Sequence, residues 1–405
     1  MDDLLYLVHR IPYPPNKGDK IRAWHIFDFL RQHYRVHLGC FVDDPGDCQH
    51  EAPLRAQCAS SHFEPLHPLA ARLRSTRGLW TAEAMSVPYY RSAGMARWVN
   101  ETLACHPIST ALAFSTPMAQ YLPPSLHRVL DMVDVDSQKW RAYSETQSWP
   151  LSAFYRREAD CLLRYERAMA QQFDHVTLVS PAETALFQRL APESRDRISH
   201  FSNGTDSDYF APQDTLPNPY QPVQTAIVFT GAMNYWPNVD AVLWFAREVL
   251  PPLLRTFPKL QFHIAGARPD QRVLALQQSP AVKVSGTVPD IRPYLQHADL
   301  AVAPLRIARG IQNKVLEAMS MQKAVVVTPQ ALEGIRAAPG QDLLLAEDAA
   351  QYTEQIERLL NSQELARTIG ICARARILSD YRWQENLKHI ASLLQPHGAT
   401  ARTAP

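Results

Sequence analysis

The chain contains no long apolar run. Nothing in its 405 residues approaches the roughly eighteen consecutive apolar residues that a membrane-spanning helix requires. It also has almost no net charge: 41 basic residues face 40 acidic ones, which argues against a general nucleic-acid binder with a basic face. Six scattered cysteines form no Cys-x-x-Cys pair, so neither a cysteine zinc site nor a disulfide framework is expected. The fifteen histidines show no Glu-flanked metal spacing of the His-Glu-x-x-His kind. There is no Gly-x-Ser-x-Gly elbow and no Walker loop, so acyl transfer and ATP hydrolysis lack support. The acidic start, Met1-Asp-Asp-Leu, lacks a basic n-region before an apolar segment, so a cytoplasmic protein in a reducing compartment is expected. Glycine is scarce, at 14 residues against 32 prolines, which makes its positions informative. Gly231, Gly266, Gly286, Gly310 and Gly334 each stand at or just after the end of a short apolar run.

The strongest local pattern is Gly310-Ile-Gln-Asn-Lys314-Val-Leu-Glu317-Ala-Met319, between the apolar runs 299–304 and 324–328. A glycine therefore sits where a strand feeds a helix, and the first helical N–H groups, unpaired and carrying partial positive charge, suit a phosphate. Lys314 lies in the first turn and adds a full charge. Glu317 shares its face three residues on, where a carboxylate can accept hydrogen bonds from ribose hydroxyls. The competing reading is a solvated helix with a Lys–Glu pair worth a few tenths of a kcal/mol.

The length predicts two domains. Apolar runs at 4–9, 36–42, 111–115, 128–133 and 176–180 alternate with helix-like stretches. A second alternating series begins at 226 and continues through 261–266, 282–286, 300–304 and 325–328. The fold class this implies is α/β, with two Rossmann-like doubly wound domains facing a cleft. The boundaries read as 1–200 for an acceptor-side domain, 201–224 for a linker, 225–380 for a nucleotide-sugar domain, and 381–405 for a helix packing back on the first domain followed by a disordered tail.

From the linker onward the chain resembles the retaining family 4 glycosyltransferases of GT-B fold. The resemblance runs through Ser202-Asn-Gly-Thr-Asp206, Phe229-Thr-Gly-Ala-Met233, Ile264-Ala-Gly266, Val284-Ser-Gly-Thr-Val-Pro-Asp290, Lys314 to Met319 and Ala331-Leu-Glu-Gly334. Three further segments, 12–22, 131–140 and 231–238, resemble the sugar transferases associated with bacterial exosortase/PEP-CTERM systems, which accompany exopolysaccharide gene clusters. The resemblance implies transfer of a sugar from a nucleotide-sugar donor to a glycan or lipid-linked acceptor, with retention and no metal or other cofactor. Two departures stand out. The family has two glutamates separated by seven residues; Glu317 is the second, and Arg309 occupies the place of the first. The family's Arg and Lys after the first strand of the second domain are replaced by Asn234-Tyr-Trp-Pro-Asn238, so Arg309 is expected to supply charge instead. The rival readings are a nucleotide-sugar 2-epimerase-like enzyme and a catalytically silent scaffold in a polysaccharide assembly complex.

Donor-binding candidates are thus Gly231, Arg309, Gly310, Lys314 and Glu317, joined by Gly18 and Asp19 from the loop Lys17-Gly-Asp-Lys20 after the first strand. Catalytic candidates are His9, at the end of that strand, and Asp134 and Asp136. With Asp131, the last two take the place where the family often has an acceptor-facing histidine. Asp134-Val-Asp136 also invites a metal reading, because Asp-x-Asp binds manganese in transferases of the other major fold. A third alternative is that Asp136 or Ser137 merely caps the next helix. Residues 70–98 combine five arginines with four aromatics and one acid, suiting peripheral contact with the inner face of a membrane. The alternative is a solvated helix face with its aromatics in the core.

Overall fold

A computed structural model describes residues 1–15, 18–76, 78, 81, 83–221, 225–308 and 310–395. The chain divides into two compact units, Met1–Ser202 with Leu387–Pro405, and Asn203–Asn386. Each unit is built on one wholly parallel sheet, so the doubly wound α/β expectation is met twice.

In the first unit the strands are β1 (Asp3–Val8), β2 (Arg35–Val42), β3 (Ser60–Pro65), β4 (Thr110–Phe114), β5 (His127–Val133), β6 (His175–Leu178) and β7 (Ile198–His200), in spatial order β3-β2-β1-β4-β5-β6-β7. All six residues of β1 are buried, as a central parallel strand covered on both faces requires. Helices α1 (Gly18–His33), α2 (Pro68–Ser75), α3 (Ala93–Cys105), α4 (Asp136–Thr146), α5 (Leu151–Gln172) and α6 (Pro181–Leu190) connect them. Strands β3 and β7 are not among the apolar runs of the sequence. Each lies at a sheet edge and is only partly buried, so the apolar signal is weak.

The second unit carries β8 (Thr225–Thr230), β9 (Leu260–Ala265), β10 (Val282–Gly286), β11 (Leu300–Ala303), β12 (Val325–Val327) and β13 (Leu344–Leu345), in order β10-β9-β8-β11-β12-β13. Its principal helices are α7 (Trp236–Trp244), α8 (Asn313–Ser320), α9 (Ala349–Asn361) and α10 (Gln363–Asp380). The final helix α11 (Trp383–Leu393) begins in the second unit, and its residues from Leu387 belong to the first, where His127 hydrogen-bonds the Leu393 carbonyl at 2.7 Å. In each unit the order reverses beside its first strand: between β1 and β4, and between β8 and β11. Such switch points leave a crevice outside the carboxyl ends of the strands, the usual place for a ligand in this architecture.

Among the described residues no helix is long and apolar enough to cross a membrane. The six cysteines are all free.

Candidate active site

At the switch point of the second unit, β8 is followed by Gly231, whose φ is +147°. Its N–H donates to the Ala265 carbonyl, and Gly266, with φ +155°, packs so tightly behind it that a Cβ there would stand 1.7 Å from the Gly231 oxygen. Only glycine at 266 permits this approach of two strand-end loops. A Cβ on Gly231 itself would meet Asn238 Nδ2 at 2.8 Å and Lys314 Cε at 3.2 Å.

Those two neighbours define the site. Asn238, buried in the first turn of α7, donates from Nδ2 to the Ala232 carbonyl at 2.9 Å and accepts from Lys314 Nζ at 2.6 Å. Lys314 lies in the first turn of α8, and its ammonium stands 5.2 Å from the centroid of the Phe229 ring. The preceding Gln312 makes no side-chain cap, which leaves the first amides of α8 without a capping group. Gly310 introduces the turn with φ +68°. Burial pushes Lys314 down to about 8, with Glu317 pulling it part of the way back. Burial likewise pushes Glu317 up to about 7 against the pull of Lys314, and its carboxylate makes no hydrogen bond among the described residues. An ammonium and a carboxylate held this way, short of partners, suit a ligand carrying both an anion and hydroxyls. Arg309 lies outside the described residues.

Sequence reasoning saw in the Asn234–Asn238 loop only a lack of cations. It missed Asn238, which fixes Lys314 beside Gly231; the signal available was a polar residue in the first turn of α7, seven positions after the strand-end glycine. Arg268, two residues past Gly266 and with φ +55°, puts a cation on the adjacent loop, where Met233 N–H bonds the Ala267 carbonyl.

The switch point of the first unit gathers different chemistry. His9, at the end of β1, stacks on Phe114 with ring centroids 5.7 Å apart and meets Tyr90 edge-on. Its Nε2 lies 3.4 Å from Asp19 Oδ2. Asp19 also takes Arg10 Nη1 at 2.7 Å. Burial alone would raise the Asp19 carboxyl, but His9, Arg10 and the Lys20 amide outweigh it and hold the group well below the usual range. Asp19 is thus engaged with both His9 and Arg10, while Gly18 opens α1 exposed. Lys20 is buried against Asp47 at 2.6 Å. Lys17 lies outside the described residues.

The three aspartates separate. Asp131 lies inside β5 and forms a buried pair with Arg22, at 2.7 and 3.1 Å, joined by Thr177. Asp134 and Asp136 both accept from Lys139 Nζ, at 2.8 and 2.9 Å. Burial opposes the lysine charge, but the two carboxylates hold it protonated well above its ordinary value. A protein cation therefore spans the Asp-x-Asp pair. The capping alternative fails in its simple form, since Val135 holds the cap position and makes no side-chain cap, while Ser137 donates to Glu166. The strand ends here are strained: Ser115 after β4 has φ +77° and Val133 closing β5 has φ +70°, a costly conformation for a β-branched residue. His9 Nδ1, Thr116 Oγ1 and Asp134 Oδ1, just past the ends of β1, β4 and β5, are buried and have no hydrogen-bond partner among the described residues.

Residues 70–98 answer to neither sequence reading as a whole. Tyr89, Tyr90 and Trp98 pack against the core rather than forming an interfacial belt. The exposed apolar groups are instead Leu69 and Leu73 on α2, at 80% and 73% exposure, flanked by exposed Arg72 and Arg74. Arg77 and Trp80 lie outside the described residues.

Residues 224–362 match the family described as glycosyl transferases group 1. This glycosyltransferase domain contains β8 to β13 and every described second-unit residue named above as a site residue. No curated protein matches the sequence. Among solved structures, sucrose-phosphate synthase from Thermosynechococcus elongatus is similar with a TM-score of 0.71 at 16% identity, over 97% of this chain and 98% of that one. Anabaena HepE in complex with UDP gives 0.68 at 15% identity, over 97% and 99%. WaaG, a glycosyltransferase involved in lipopolysaccharide biosynthesis, gives 0.67 at 16% identity, over 97% and 100%. At these identities the likeness establishes the fold, the GT-B arrangement of two Rossmann-like units within one chain.

Proposed function

We propose that this protein is a metal-independent, retaining glycosyltransferase that moves a sugar from a nucleotide-sugar donor to a glycan or lipid-linked acceptor in exopolysaccharide biosynthesis. The observation that carries the reading is the junction of Gly231, Asn238 and Lys314 at the switch point of the glycosyltransferase domain. There a bare glycine backbone, an uncapped helix start and a half-buried ammonium share one spot. The donor diphosphate lies on the α8 N-terminus with Lys314 against its oxygens, and Glu317 takes the ribose hydroxyls. Gly310 forms the turn before α8, and Arg309, next to it in sequence, is a further cation for the diphosphate.

As the bond from the sugar C1 to the diphosphate oxygen breaks, negative charge grows on the leaving group. Lys314 and the helix dipole stabilise it from fixed positions. The acceptor hydroxyl forms the new bond to C1 and its proton passes to the Asp134 carboxylate. Asp134 Oδ1, buried and with no partner among the described residues, accepts a hydrogen bond from that hydroxyl, and Lys139 holds the carboxylate in place. His9 and Thr116 offer further polar atoms to the acceptor. The Lys139 ammonium between Asp134 and Asp136 supports a mechanism without a metal there. Because α2 exposes Leu69 and Leu73 between arginines, we place the membrane-facing contact on that helix, at the cytoplasmic surface.

The test is binding of UDP, GDP and dTDP to wild type and Lys314→Ala. Wild type binds one of them, with UDP the first to try given the HepE complex. The variant loses at least about tenfold, because a hydrogen bond to a charged group is worth about 1.5–3 kcal/mol. Its thermal midpoint does not fall. Equal affinity in the two proteins removes Lys314 from the site. Consumption of donor without any acceptor favours the epimerase-like alternative.

A further inference from the structure

At the amino-terminal ends of β1, β2 and β3, opposite the strand ends discussed above, lies a second polar cluster. Asp3 opens β1, and His37 lies two residues into the paired part of β2, with Leu5 beside it in register. His106 follows α3 on the way to β4. Asp3 and His37 are buried, and His106 is partly so. His37 Nε2 stands 2.9 Å from Asp3 Oδ1, and the two imidazole rings lie 4.4 Å apart. One ligand atom from each of the three residues falls within 4.8 Å of the others. Neither ring nitrogen of His106 has a hydrogen-bond partner among the described residues.

We propose that Asp3, His37 and His106 form a site for a divalent transition-metal ion of the zinc type, held by one carboxylate and two imidazoles with a fourth position left to water. Tetrahedral zinc with bonds of about 2.0–2.1 Å places its ligand atoms roughly 3.3 Å apart. The present spacing reaches that by small side-chain rotations. His37 is already oriented from outside, because its Nδ1 bonds Ser60 Oγ at 2.7 Å and so leaves Nε2 to face the site. That is the second partner a metal-binding imidazole ordinarily has. One group opposes a cation: Arg35 Nε lies 3.6 Å from Asp3 Oδ1. Its side chain is more than half exposed and can swing into solvent. An ion here would tie β1 and β2 to the end of α3 and take no part in sugar transfer, so this site stands or falls independently of the transferase reading.

The experiment uses the untagged full-length chain, stripped of metal, titrated with zinc by calorimetry and with cobalt(II) as a spectroscopic probe. Wild type binds one zinc per chain with a raised thermal midpoint, and cobalt gives the visible absorption of a tetrahedral nitrogen–oxygen site. His106→Gln weakens zinc binding at least tenfold, and Ser60→Ala weakens it about tenfold through the loss of His37 orientation. His127→Gln, at the histidine that bonds the Leu393 carbonyl, leaves it unchanged. The assignment is overturned if wild type takes up no stoichiometric zinc, if cobalt shows only an octahedral aquo-like spectrum, or if His106→Gln binds as tightly as wild type.

Discussion

Lys314 and Glu317 are displaced in opposite directions by the same cause, and pH should therefore separate their roles. In the free protein Lys314 loses its proton as pH rises through about 8, and a diphosphate then loses its ammonium partner. Glu317 gains a proton as pH falls through about 7, and the ribose loses its charged acceptor. Nucleoside-diphosphate affinity should thus peak between about 7 and 8 and fall on both sides. In Glu317→Gln the alkaline fall should remain. The acid fall should shrink to whatever belongs to the diphosphate's own protonation near pH 6. Dissociation constants measured from pH 5.5 to 9.5 in both proteins decide it, and an unchanged acid limb in the variant separates Glu317 from the ligand. Linkage gives the matching stability signature. The raised folded value of Glu317 contributes stability that is present at low pH and is lost between about 4.5 and 7. The depressed value of Lys314 lets stability rise between about 8 and 10.5. In the window between, where both groups are charged, the ligand-free site is least stable and best prepared to bind.

Among the elements, the loops that close β8 and β9 depend on one another. Gly266→Ala forces its Cβ onto the Gly231 oxygen in a backbone conformation that L residues rarely adopt, so one of the two loops must move. A loss of roughly 2–4 kcal/mol in urea unfolding is expected, with weaker donor binding because the Gly231 loop no longer seats under Lys314. Wild-type stability in this variant would mean that the loops are free to slide. Helix α2 offers a separate check. Leu73→Glu should reduce co-sedimentation with anionic phospholipid vesicles severalfold and leave donor binding unchanged, whereas binding to neutral and anionic vesicles alike would not fit a helix flanked by arginines. The sequence is a good guide at this scale where strands are central: β1, β8 and β12 are continuous apolar runs because both faces are covered. It fails at edges such as β3, β7 and the two-residue β13, where half-burial dilutes the pattern. It also errs where aromatics are amphipathic. Tyr89, Tyr90 and Trp98 look interfacial beside so many arginines, yet they pack into the core and leave two leucines outside.

For the whole molecule, what was readable followed sequence distance. Gly310, Lys314 and Glu317 are close neighbours on one turn and helix, so their relation could be read from spacing. Asn238 reaches Lys314 across 76 positions, and Asp3, His37 and His106 meet only because parallel strands align their starts; neither contact leaves a local motif. The Asp134-Val-Asp136 pair shows the converse hazard, a local motif whose meaning depends on a third residue. With Lys139 bridging the carboxylates, sugar transfer should proceed unchanged in excess chelator, since the diphosphate charge is met by Lys314 and the α8 dipole. Asp134→Asn should lower transfer by about 10²-fold or more if the carboxylate serves the acceptor hydroxyl, while the donor dissociation constant stays within about twofold. The decisive comparison is donor binding and transfer, each with and without chelator, in both proteins. If chelator abolishes donor binding and manganese restores it, the aspartates hold a metal in place of Lys139, and the division of labour between the two units has to be reassigned.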